Sequence, residues 1–96
     1  MIGVFVTFDA DSDFDSTVIA KIAAEARQMF EGMPGLRNKF FTLDEKQKRA
    51  TNFYVWESET AAREFFSEQL VERVTTLYGV RPQIEFAEVL EYVDNS

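Results

Sequence analysis

The fold is decided by the stretch Leu36-Arg37-Asn38-Lys39-Phe40-Phe41-Thr42-Leu43, the charged connection Asp44-Glu45-Lys46-Gln47-Lys48-Arg49, and the run Ala50-Thr51-Asn52-Phe53-Tyr54-Val55-Trp56-Glu57. Two runs rich in aromatic and β-branched residues, joined by a short polar connection, read as the strands of a hairpin. Pro34-Gly35 turns the chain into the first run, and Ser58 stands where it can cap a following helix. From about residue 59 to 78, Ala62, Phe65, Phe66, Leu70, Val74 and Leu77 form an apolar stripe at helical spacing, and Gly79 and Pro82 end it. A last strand is predicted over about Gln83 to Val93, leaving Asp94-Asn95-Ser96 as a polar tail.

Upstream of the hairpin, Val18, Ile19, Ile22, Ala23, Ala26, Met29 and Phe30 predict a helix over about 16–31, stopped by Gly32. The acidic stretch from Asp9 to Asp15 precedes it, where a late Asp or Ser can cap the helix and negative charge suits its positive end. Residues 2–8 read as the first strand. The order β-α-β-β-α-β over a single domain, 1–96, has one common compact solution. It is an α+β, ferredoxin-like subunit, with a four-stranded antiparallel sheet carrying both helices on one face.

The strands do not alternate cleanly between apolar and polar residues. Phe5, Phe40, Phe41, Phe53, Tyr54, Val55, Trp56, Ile84, Phe86 and Val89 make both faces of the sheet apolar, and two helices cover only one. A homodimer joined through the open sheet faces is therefore expected. The small size points the same way, because a chain of 96 residues has a thin core of its own.

Composition narrows the chemistry. The chain has neither histidine nor cysteine, which excludes thiolate nucleophiles, disulfides, imidazole or thiolate ligation of zinc or haem, and the Ser-His-Asp and Cys-His arrangements. No cofactor and no metal site is expected. A net charge of −7, from 17 acidic and 10 basic residues, argues against nucleic acid or an anionic membrane surface as partner. The N-terminus carries no basic segment of a signal peptide, and no apolar run spans a bilayer, so a cytoplasmic location is expected. Asp9, Asp11, Asp13 and Asp15 alternate like calcium ligands, but Phe14 and Ala20 stand where an EF-hand loop needs its glycine and its closing glutamate.

The candidate site residues lie on the hairpin. Lys39 is a cation set among Phe40 and Phe41, where a lysine either extends to water or meets an anion. If Asn38 pairs with Trp56 and Phe40 with Tyr54, then Asn38, Asn52, Tyr54 and Trp56 share a face with Phe40, a surface suited to a flat aromatic ligand. One slip of register would scatter the set. Packing as core or interface aromatics is the other reading of Tyr54 and Trp56.

The segments Pro34 to Thr42, Glu45-Lys46, and Phe53-Tyr54-Val55-Trp56-Glu57-Ser58-Glu59 running into a helix resemble the dimeric α+β barrel superfamily, in particular its YdhR-like mono-oxygenase group. The step from Trp56 to Glu59 is also similar to the antibiotic-biosynthesis monooxygenase branch. The resemblance implies a subunit whose sheet closes with its mate into a barrel, and a pocket between sheet and helices. It places Lys39 and Tyr54 on positions of the YdhR-like pattern and Trp56 where the related branch often has a pocket tryptophan. The expected function is a cofactor-independent monooxygenase acting on a small aromatic or phenolic substrate, with Lys39 and Tyr54 catalytic and Asn38, Phe40, Asn52 and Trp56 binding. The alternative is a non-catalytic small-molecule-binding or structural dimeric module. The resemblance departs where haem-degrading relatives use a histidine, which this chain lacks, and where a strand-1 asparagine is common but Phe5-Val6-Thr7 stands here.

Overall fold

A computed structural model describes residues 1–9 and 15–96. Strand β1 spans Ile2–Asp9, helix α1 Ser16–Phe30, strands β2 Leu36–Asp44 and β3 Arg49–Trp56, helices α2 Glu59–Phe65 and α3 Glu68–Tyr78, and strand β4 Gln83–Glu88. The four strands form one antiparallel sheet in the order β2-β3-β1-β4, the ferredoxin-like arrangement expected from the element order. Asp15 caps α1 by accepting hydrogen bonds from the amides of Thr17 and Val18. The stretch read against the EF-hand pattern falls largely on residues 10–14, outside the described residues. Among the described residues no helix is long and apolar enough to cross a membrane.

The strands present Ile2, Val4, Val6 and Phe8 from β1 and Ala50, Asn52, Tyr54 and Trp56 from β3 to the helices, and these residues are buried. Phe30, Phe65, Phe66, Val74 and Tyr78 pack down onto them. The other face carries Phe5, Phe40 and Phe53 in a row across β1, β3 and β2. The Phe5 and Phe53 ring centroids lie 4.7 Å apart and those of Phe40 and Phe53 6.2 Å apart. Phe40 keeps 54% of its surface exposed and Phe5 41%.

Three expectations are corrected. The second helix is two helices, because the chain breaks at Phe66 and Ser67 starts α3 afresh, its hydroxyl accepting from the amide of Leu70. The break turns adjacent Phe65 and Phe66 both toward Trp56, with centroids at 5.0 and 6.2 Å, which a continuous helix would splay by about 100°. The last strand ends at Glu88 rather than Val93. Its neighbour is β1, where Glu88 pairs with Ile2, the first residue of that strand, and beyond it the Val89 amide donates to the carbonyl of Met1 at 3.1 Å. The register of the hairpin also differs. Leu36 faces Trp56, a bulge absorbs Arg37, and Asn38 then faces Val55, Lys39 faces Tyr54 and Phe40 faces Phe53. The bulged residue reverses the side on which every later β2 side chain emerges.

Candidate active site

The bulge at Arg37 is what builds the site. It turns Lys39 and Phe41 to the helix side of the sheet, opposite Tyr54 and Asn52, while Phe40 goes to the open face. A cavity of about 130 Å³ lies between the sheet and the helices, lined by residues that include Val6, Phe8, Phe30, Lys39, Phe41, Asn52, Tyr54, Phe65, Arg73 and Tyr78.

Lys39 Nζ donates a hydrogen bond to Tyr54 Oη at 2.7 Å. The amine lies 3.4 Å from the ring centroid of Phe30, 4.1 Å from that of Phe41 and 4.2 Å from that of Tyr54. Aromatic faces attract a cation but replace little of its hydration. Burial accordingly lowers the Lys39 pKa from its ordinary value to about 7. Tyr54 moves the other way: burial pushes its pKa above the usual phenol range, so it stays a neutral hydroxyl. Having accepted from Lys39, that hydroxyl keeps its own proton available to a ligand.

A second polar pair borders the same cavity. Asn52, only 5% exposed, donates through Nδ2 to Tyr78 Oη at 3.4 Å. Tyr78 stacks on Phe8 with centroids 3.7 Å apart, and burial raises its pKa. Among the described residues the cavity wall carries two cations, Lys39 and Arg73, and no carboxylate, in a chain whose acids outnumber its bases 17 to 10.

The six residues singled out from the sequence are thus divided. Lys39, Tyr54 and Asn52 come together on the cavity wall. Trp56 lies behind them, 2% exposed and stacked on Tyr54 at 6.2 Å, and its Nε1 has no hydrogen-bond partner among the described residues. Asn38 borders open grooves at the β2 edge, and Phe40 is on the opposite face of the sheet.

Solved structures share this architecture over nearly the whole chain. A monooxygenase from the gene ActVA-Orf6 of Streptomyces coelicolor, in complex with nanaomycin D, superimposes with a TM-score of 0.73 at 22% identity, covering 99% of this chain and 92% of that one. SnoaB, a cofactor-independent oxygenase from Streptomyces nogalater, gives 0.69 at 12% identity, covering 96% and 95%. An antibiotic biosynthesis monooxygenase gives 0.70 at 10% identity, covering 95% and 100%. The chain has the fold of these oxygenases. No protein-family model and no curated protein matches the sequence.

Within that fold, three wall residues escaped the sequence reading. Phe30 was visible only as part of the α1 stripe. Phe41 adjoins Phe40, and only Phe40 is grouped in the sequence with Asn38, Asn52, Tyr54 and Trp56. Tyr78 was passed over at the helix end, although it follows Val74 by four positions, the spacing of a shared helix face.

Proposed function

We propose that the protein is a cofactor-independent monooxygenase that takes a small aromatic or phenolic substrate into the cavity between sheet and helices, and that it works in the cytoplasm as a homodimer joined through the open sheet face. The observation that carries this reading is the Lys39 amine, held among three aromatic rings and bonded to Tyr54 in a wall that, among the described residues, has two basic side chains, Lys39 and Arg73, and no carboxylate. Such a wall favours the anion of a phenol over its neutral form. An engineered cavity of about 150 Å³ takes benzene, so about 130 Å³ suits a single ring.

Lys39 as the free amine takes the phenolic proton, and the ammonium so formed faces the phenolate. The Tyr54 hydroxyl donates to the same oxygen, and Asn52 orients the far side of the ring. The anion passes an electron to oxygen, the radicals combine, and the hydroperoxide loses water. In sum the ring CH para to the phenolate and O2 give a quinone carbonyl and water: the ring loses four electrons, the two oxygen atoms gain them, and one oxygen stays on the ring while the other leaves as water with the two hydrogens. The fold neighbours that are named oxygenases support this class by analogy.

The test is oxygen uptake and quinone formation by the purified protein with an electron-rich monocyclic phenol unsubstituted at the para position, without flavin and with a chelator present. Lys39→Ala is expected to lose about 100-fold in rate and Tyr54→Phe about tenfold. Because the base is the neutral amine, the rate should climb as pH passes through about 7 in the native protein and lose that limb in Lys39→Ala. Equal rates in all three proteins would remove these roles. Ligand quenching of Trp56 fluorescence without turnover would assign the cavity to a binding module instead.

A further inference from the structure

Lys39 stands between two spaces. Together with Phe30 and Phe41 it lines both the cavity and an open groove between the end of α1 and the edge of β2. The amine is thus bordered by an open groove on one side and by the aromatic side chains of the cavity on the other. The charges facing the amine do not hold it as an ammonium ion. On the groove side Glu31 is paired with Arg27 at 3.0 Å, and Arg37 is a cation. On the cavity side Arg73 is another cation. None of the ion pairs among the described residues includes Lys39. Lys21, Lys46 and Lys48, by contrast, are exposed.

We propose that Lys39 is a Schiff-base-forming lysine that captures a small aromatic aldehyde in this cavity. Its Nζ forms a bond to the carbonyl carbon, giving a carbinolamine. The two amine protons then leave with the carbonyl oxygen as water, one of them relayed through the Tyr54 hydroxyl 2.7 Å away, and a C=N bond remains. No oxidant or reductant takes part. A desolvated lysine supplies the free amine that such an addition needs, and its lowered pKa, about 7, agrees with that. The proposal goes beyond the oxygenase reading and does not rest on it, since imine formation requires neither oxygen nor an oxidisable ligand.

The experiment is reductive trapping of the full chain with benzaldehyde and cyanoborohydride near neutral pH, under argon, followed by intact mass and peptide mapping. The expected result is a benzyl group on Lys39 in at least about tenfold excess over each of Lys21, Lys46 and Lys48. Tyr54→Phe should slow trapping at Lys39 several-fold while leaving the surface lysines unchanged, and Lys39→Arg should reduce total labelling to the surface level. Label spread evenly over the four lysines, or absent from Lys39 in the native protein, would overturn the proposal. An unchanged trapping rate in Tyr54→Phe would remove the proton relay. Failure of oxygen uptake with intact trapping would sink the oxygenase reading alone.

Discussion

Lys39 is the residue on which stability and chemistry meet. Burying its amine without a carboxylate is unfavourable whenever the group is charged. Its pKa falls to about 7 in the folded protein against an ordinary 10.5. Below about pH 7 the folded state must carry the buried ammonium, and the full penalty is present. Between about 7 and 10 the unfolded chain binds a proton that the folded chain does not, so stability rises with pH. Above that range the raised values of Tyr54 and Tyr78 reverse the trend. Lys39→Met should therefore be more stable than the native protein at pH 6 by on the order of a few kcal/mol. The advantage should shrink toward pH 10, read as unfolding midpoints of both proteins across that range. The sequence marked Lys39 as a charge against an apolar surface. The rings that surround it come from α1, β2 and β3, and a single sequence does not show which of them will meet.

At the scale of elements, two devices shape the site: the bulge at Arg37 and the break at Phe66–Ser67. Ser67→Ala removes the acceptor for the Leu70 amide and is expected to cost about 1 kcal/mol, measured by denaturant unfolding. It should also weaken ligand binding, because α3 carries Leu70, Val71, Arg73, Val74 and Tyr78 of the cavity wall. Ser58 was legible as a cap because it follows a strand and precedes a polar-apolar alternation of helical period. Ser67 was not, because the apolar stripe runs through it unbroken and periodicity alone continues the helix. The bulge was equally hidden. Arg37 sits in a run whose residue types suit a strand in either register, and only the contacts made by both faces select between them.

At the scale of the whole molecule, the row formed by Phe5, Phe53 and Phe40 leaves an aromatic surface on the sheet that no element among the described residues covers. A second copy laid on this face would bury it, which is the dimer proposed above. Phe40→Asp tests it with little cost to the subunit, since the side chain is more than half exposed. Sedimentation should show the native dimer mass falling to that of a monomer, with the helix content unchanged. The order of elements apart from the break within the last helix, the four strands, a cap by a late Asp or Ser before α1, the cap at Ser58 and the excess of apolar residues on both sheet faces were determined by the sequence itself, because propensity, periodicity and capping act over a few neighbouring residues. The cavity was decided by the tertiary structure. The register beyond the bulge sets Lys39 opposite Tyr54 and Phe40 opposite Phe53, away from the residues Phe40 was grouped with, and Trp56 lies buried behind the wall rather than in it. The physical reason is that a strand's side chains alternate with a period of two. One extra residue reverses every later one, and the free energy that fixes the choice comes from packing against helices distant in the chain.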